Sequence, residues 1–189
     1  MIKIKETHKV PDEHKKKAPQ EINLALIIVS TSRYNEKNTG KRTSDKTIPK
    51  VEQLLKDEQK IKLEFNSIIP DSEDEIKRVT LQLLKNPKID AIIFSGGTGL
   101  SPKDITYETL EPRLGKKFDG FGELFRSLSY NEIGSSAMLS RATAGILEGK
   151  KKNVAVFLLP GSPNAVRLAL QYILIPELGH ILYLINKEE

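Results

Sequence analysis

The sequence predicts a three-layer α/β/α sandwich, an α/β fold built on a mostly parallel sheet. Three observations carry this expectation. Several short segments are continuous apolar runs rather than alternating ones, the pattern of strands buried on both faces. Between them lie segments whose apolar residues fall at helical spacing, so strands and helices alternate along the chain. The length of 189 residues suits one domain with a sizeable core.

Residues 1–19 carry six lysines and three acids and read as a basic N-terminal extension that precedes a single domain over 20–189. Ile22 to Ser30 is an apolar run ending in small hydroxyl residues, a buried strand entering a loop. Residues 31–44 are polar and basic, the composition of a mobile loop; the stretch from Thr31 to Asp45, with Arg33, Lys37, Lys41 and Arg42, either closes over an anionic ligand or stays a solvated loop. Ser44 or Asp45 caps a helix through about Asp57, with Ile48, Val51, Leu54 and Leu55 on one face. Ile61 to Ile69 forms a second strand, stopped by Pro70-Asp71-Ser72. A helix with Ile76, Val79, Leu83 and Leu84 follows and ends at Asn86-Pro87. Ile89 to Ser95 is a third strand. It runs into Gly96-Gly97-Thr98-Gly99, and Ser101-Pro102 opens a helix to about Glu111. Residues 113–134 hold four glycines and read as short helices and turns. Ser135 to Glu148 is rich in small residues and reads as a closely packed helix. Val154 to Leu159 is a fourth strand. Pro160-Gly161-Ser162-Pro163 leads into a last helix through about Tyr183, interrupted near Pro176.

Composition excludes several classes of chemistry. There is no cysteine, hence no disulfide scaffold, thiolate zinc site or cysteine nucleophile, which suits a reducing, cytoplasmic compartment. Of the three histidines, His8, His14 and His180, two lie in the extension, so a histidine-based triad is poorly supplied. The longest apolar runs are six residues, short of the roughly 20 a membrane helix needs, so no span is expected. The net charge of +5 is largely a property of the extension, and no basic-aromatic motif accompanies it, so nucleic acid is not an expected partner.

Ligands of parallel sheets bind beyond the carboxyl ends of the strands. Three loops there carry polar chemistry. Ser95 followed by Gly96, Gly97, Thr98 and Gly99 allows close backbone approach to an anion, or simply makes a tight turn; neither the P-loop nor the dinucleotide fingerprint is present. Asp104 stands three residues after Ser101 as in a capping box, and one helical turn before Glu108; it is either a cap or a Mg²⁺ ligand facing the glycine loop. Asp71 is an N-cap or a second carboxylate at the same sheet edge. At Ser162-Pro163 a helix N-terminus offers N–H groups and a positive dipole.

In that order, SGGTGLSPKDITYE, GFGELFRSLSYNEIGSSAMLSRATAG and LLPGSPNAV resemble the MoaB/MogA family of molybdenum cofactor biosynthesis, the MoaB-like branch most closely. The resemblance spans about residues 20–185. It implies a molybdopterin-binding fold and Mg²⁺- and ATP-dependent adenylylation of molybdopterin, with AMP passing to its terminal phosphate. It further implies a homotrimer or homohexamer. By the same resemblance Asp71 and Asp104 are the catalytic and metal-binding acids. Ser95, Gly96, Gly97, Thr98, Gly99, Thr106, Glu108, Pro160, Gly161, Ser162, Pro163 and Ser44 bind substrate. The charge at the reacting phosphate, apart from the resemblance, makes Lys103 or Arg42 a candidate further cation. Two departures stand out: Arg42 and Asp45 replace the Asp and Gly common around Ser44, and Tyr107 replaces a common Pro. They keep a second reading open, a non-catalytic molybdopterin carrier or scaffold, although both acids are present.

Overall fold

The computed structural model describes residues 18–187; the extension lies outside the described residues except for Ala18 and Pro19. In chain order the elements are β1 (Ile22–Val29), α1 (Thr31–Asn38), α2 (Thr47–Leu55), β2 (Ile61–Ile69), α3 (Glu73–Lys85), β3 (Ala91–Ser95), α4 (Thr106–Leu110), α5 (Asp119–Ile133), β4 (Thr143–Glu148), β5 (Asn153–Leu159), α6 (Pro163–Ala169) and α7 (Ile175–Ile185). The five strands form one sheet in the order β2-β1-β3-β5-β4, parallel except for the antiparallel edge strand β4.

The continuous apolar runs are the strands, and their period of two explains why both faces are greasy. Leu24, Leu26 and Ile28 of β1, Ile93 of β3 and Phe157 of β5 enter the core beneath α2, α5, α6 and α7. Ala25, Ile27 and Val29, Ile92 and Phe94, and Val156 and Leu158 enter the opposite core beneath α3 and α4. The result is three layers.

Four expectations are corrected. Residues 31–38 are helical, not part of a mobile loop; α1 buries no residue, so it carries no apolar period, and its start is set by Ser30, whose hydroxyl accepts from the Arg33 N–H. The glycine-bearing stretch 119–133 is one long helix, α5, because Phe121, Phe125 and Leu128 recur at helical spacing against the sheet. Its Gly122 lets α5 approach β4: a Cβ there would stand 2.6 Å from the Ala142 carbonyl. Residues 135–148 are not a helix but a 3₁₀ turn, Gly134–Leu139, and a fifth strand, β4. Its small residues fit a strand whose outer edge is covered by the preceding loop, with Gly115 and Phe118 N–H groups donating to the Ile146 and Ala144 carbonyls. The helix expected from Ser101 begins only at Thr106.

The final helix is interrupted as expected. A π-helical turn, Leu170–Leu174, precedes Pro176, which lacks the N–H that an α-helical bond needs. The combined run Pro163–Ile185 has 23 residues, and an 18-residue window within it has a mean hydropathy of 1.5, long and apolar enough to cross a membrane by length and composition. Counting uninterrupted runs concealed this, because isolated polar residues divide it. Val166, Ala169, Leu170, Leu174 and Leu178 of this run are fully buried in the core.

Candidate functional site

The strand order reverses direction between β1 and β3, so their carboxyl ends diverge into loops on opposite layers and leave a crevice. A cavity of about 540 Å³ occupies this position. Its wall includes Val29 at the end of β1 and Ser30 after it, Gly96 to Gly99 after β3, and Pro160 and Gly161 after β5. The loops start from fixed points. Ser30 donates its N–H to the Ile69 carbonyl at 2.8 Å and Gly96 to the Leu159 carbonyl at 3.0 Å, extending the sheet ladder by one step. A larger cleft of about 1,140 Å³ lies beside the end of β4 and the start of β5, and none of the three motif loops lines it.

The glycines after β3 are required by space and by backbone conformation. Gly96 has φ 112° and a Cβ there would stand 2.2 Å from the Val29 carbonyl oxygen. Gly97 has φ 63°, and its Cβ would stand 2.3 Å from Thr106 Oγ1 and 3.3 Å from Asp71 Oδ1. Only glycine meets both demands without strain. Thr106 is buried below the loop, where its N–H donates to the Gly97 carbonyl at 2.8 Å while its hydroxyl makes no hydrogen bond. Ser95 is likewise buried, and its hydroxyl donates to the Pro160 carbonyl at 3.1 Å, tying the β3 loop to the β5 loop.

Both expected carboxylates face this cavity. Asp71 Oδ2 accepts from the N–H and the hydroxyl of Thr31, each at 2.8 Å. Asp104 does not sit in a helix. Residues 101–105 form a turn in which Asp104 N–H donates to the Ser101 carbonyl at 2.9 Å and Asp104 Oδ2 accepts from the Ser101 N–H at 3.2 Å. That turn folds the carboxylate back onto Gly99, within 2.8 Å of where its Cβ would be. In each acid the Oδ1 oxygen makes no hydrogen bond among the described residues.

Other expected residues fall elsewhere. Ser162 caps α6, its hydroxyl accepting from the Ala165 N–H at 3.1 Å, and Pro163 is the first residue of that helix; neither lines the cavity. Ser44 is exposed and donates its N–H to Glu36 at 2.7 Å, a bond that holds the Glu36 carboxyl below its usual range. Glu108 does not share a helical face with Asp104. It pairs with Arg141, whose hydrogen bonds keep the Glu108 carboxyl below the ordinary carboxylate range. Lys103 and Arg42 do not line the cavity.

Two arginines stand out in the structure, Arg141, which the sequence does not single out, and Arg33, which it offers only as one of four basic residues of the 31–45 stretch. Arg33, on the first turn of α1, is the one basic side chain among the described residues lining the cavity. Arg141 lies behind the glycine loop: its Nε donates to the Thr98 carbonyl at 2.9 Å, an Nη donates to the Gly99 carbonyl, and the guanidinium stacks 4.6 Å over the Tyr107 ring. These contacts fix the loop from outside the cavity. No motif flags either residue in sequence, because an isolated arginine in a polar or small-residue segment has no periodic or spacing signature.

Oxygen donors suit a hard divalent cation, and the two unbonded Oδ1 atoms supply them. Among the described residues no cluster of three or more His, Cys, Asp or Glu side chains is suited to a metal. Two carboxylates with the remaining positions left to phosphate oxygens and water fit the way Mg²⁺ accompanies a nucleotide, rather than a closed protein cage.

Residues 25–180 match the family described as a probable molybdopterin binding domain. A probable molybdopterin adenylyltransferase of Methanocaldococcus jannaschii is 44% identical over 161 residues, 85% of this chain and 92% of that protein. A molybdenum cofactor biosynthesis protein B of Bacillus cereus is 40% identical over 177 residues, 93% of this chain and 98% of that protein. The tungsten cofactor synthesizing protein MoaB of Pyrococcus furiosus has a solved structure that superposes with a TM-score of 0.75 at 35% identity, covering 89% of this chain and 99% of that one.

Proposed function

The chain belongs to the MoaB/MogA family of molybdopterin-binding domains, and from that premise we propose that it is a molybdopterin adenylyltransferase of molybdenum or tungsten cofactor biosynthesis. It transfers AMP from Mg-ATP to the terminal phosphate of molybdopterin. A phosphate oxygen attacks the α-phosphorus, the bond to the β-phosphate oxygen breaks, and pyrophosphate leaves. The observation that carries this reading is the convergence of Asp71 and Asp104 on one glycine loop at the mouth of the sheet.

The residues account for the reaction without a general base. A phosphate monoester has a second pKa near 6, so its dianion is the nucleophile at neutral pH. The chain has to position two phosphates in line and spread the charge that develops between them. The glycine loop brings its backbone close to that charge, with Arg141 holding its carbonyls on the far side. Asp71 and Asp104 would hold Mg²⁺ through their Oδ1 atoms. The ion supplies charge neutralisation on the polyphosphate.

The carrier reading rests on Arg42 and Asp45. Neither lines the cavity, so these departures leave its wall intact and the enzymatic reading is favoured. Further parts of the proposal are a cytoplasmic location and a homotrimeric or homohexameric assembly. The small-residue helix expected over 135–148 is not formed, but Leu124, Tyr130, Met138 and Leu139 are exposed large apolar side chains on α5 and the following turn that an assembly would cover.

The test is AMP transfer from Mg-ATP to molybdopterin by the wild type beside Asp71→Asn and Asp104→Asn. Transfer by the wild type, with each variant folded and at least about 100-fold slower, is expected from loss of an essential charge-stabilising contact. A folded wild type that binds molybdopterin and transfers no AMP would leave the carrier.

A further inference from the structure

Resting on the adenylyltransferase reading, we propose that Arg33 is the phosphate-binding cation of the cavity and that Asp45 is the positioning residue that holds it there. Both reactants are polyanionic at the reacting end, whereas the side chains so far placed at the cavity, Asp71 and Asp104, are acids. Arg33 is the cation among the described lining residues. It leaves the first turn of α1, whose Thr31 also fixes Asp71, so one helical turn anchors that acid and delivers a guanidinium to the same wall.

Asp45 lies outside the cavity and behind Arg33. Its side chain is 1% exposed. Oδ2 is committed to the Ile48 N–H at 2.8 Å, the bond that starts α2. Oδ1 makes no hydrogen bond, and it lies 3.5 Å from Arg33 Nη1. A buried carboxylate needs a countercharge, and Arg33 is the partner it has. The pair is longer than the 2.7–2.9 Å or so of a tight charge-assisted bond. A guanidinium carries five N–H donors, and none of them hydrogen-bonds Asp45, so the pairing is by charge and the fork remains for an anion. The side chain is 23% exposed, open enough to meet a ligand and covered enough to be held in one orientation. Arginine rather than lysine suits this place, since the planar fork recognises phosphate in two contacts at once.

The phosphate belongs either to molybdopterin or to ATP, and steady-state kinetics separate the two. Arg33→Gln, Arg33→Lys and Asp45→Asn are compared with wild type in AMP transfer. Calorimetric binding of inorganic pyrophosphate is measured in parallel as a readout that needs no turnover. Arg33→Gln is expected to raise the KM for one substrate at least about tenfold in a chain that still folds, with a lowered melting temperature because Asp45 loses its countercharge, and with partial recovery of both in Arg33→Lys. A shift in the molybdopterin KM assigns the contact to the pterin phosphate; a shift in the ATP KM with weaker pyrophosphate binding assigns it to the nucleotide. Asp45→Asn keeps an oxygen for the Ile48 N–H and is expected to weaken binding about threefold, with no further loss in the double variant. Unchanged KM values and pyrophosphate affinity in folded Arg33→Gln would overturn the cation. Additive losses in the double variant would overturn the positioning role of Asp45. A wild type without AMP transfer, whose pyrophosphate binding still depends on Arg33, would overturn the adenylyltransferase reading and support the anion site.

Discussion

Asp71 and Thr31, forty residues apart, hold each other reciprocally: Asp71 Oδ2 accepts from the Thr31 N–H and hydroxyl at 2.8 Å, and the Asp71 N–H donates to the Thr31 oxygen at 3.0 Å. The contact joins the loops after β1 and β2 and leaves Asp71 Oδ1 directed at the glycine loop. Thr31→Val removes two hydrogen bonds, the hydroxyl's to the carboxylate and the Asp71 N–H's to the hydroxyl, and leaves only the one from the Thr31 N–H. The expected cost is about 2–3 kcal/mol of stability, with AMP transfer reduced less than in Asp71→Asn. Urea unfolding and initial rates check this. A Thr31→Val enzyme as slow as Asp71→Asn would mean that Thr31 does more than orient the acid.

Gly97→Ala meets two penalties that can be separated. The methyl would stand 2.3 Å from Thr106 Oγ1, and φ is 63°. The second penalty is about 1–2 kcal/mol for a residue with a Cβ. Thr106→Ala in the same chain removes the clashing oxygen and not the backbone strain. The double variant is therefore expected to be more stable than Gly97→Ala alone and still below Thr106→Ala. At Gly96 the obstacle is the Val29 carbonyl, which no side-chain change relieves. Gly96→Ala is the harsher substitution, and thermal unfolding of the four variants ranks them.

The central parallel strands were legible because they are nearly continuous apolar runs, as strands buried on both faces must be, while the edge strand β2 shows alternation, with only one face covered. The two carboxylates and the glycine loop were legible because they follow strand ends. What sequence hid has a common physical cause. β4 has few β-branched residues, and its fit depends on packing against the loop at 115–118 and on α5 rather than on propensity. In α5 the glycine count outweighed the spacing of Phe121 and Phe125, although tertiary packing tolerates glycine wherever a helix must come close. Arg141 acts through contacts with residues distant in sequence, including the 43-residue separation to Thr98, and the Arg33–Asp45 pair bridges a helix and the loop after it; local pattern holds no trace of either contact.

The apolar surface of α5 and its following turn predicts self-association. Met138 is 78% exposed and Leu139 55%, large apolar side chains on a surface of the kind that marks an interface. Light scattering is expected to give a mass above the monomer's at micromolar concentration, and Met138→Glu with Leu139→Glu is expected to lower it. A wild-type monomer under those conditions refutes the assembly.

The Arg141–Glu108 pair predicts a pH dependence whose sign follows from the direction of the shift. The hydrogen bonds from Arg141 lower the Glu108 carboxyl from its ordinary value of 4.5. A group depressed in the folded state contributes stability that is present above the unfolded value and lost as pH falls through the folded one. The contribution is therefore complete at neutral pH and disappears only in acid. Because Glu108 is largely solvated, with its side chain 53% exposed, its size is at most about 1 kcal/mol. Arg141→Gln releases the carboxyl, so its midpoint is expected to rise toward the ordinary value in an NMR titration of Glu108. The same variant frees the carbonyls of Thr98 and Gly99, so AMP transfer is expected to fall at every pH between 6 and 9 rather than to change its pH profile. A Glu108 midpoint unmoved by Arg141→Gln would remove the pair as the cause of the shift. Full transfer activity in that variant would remove Arg141 as the support of the loop.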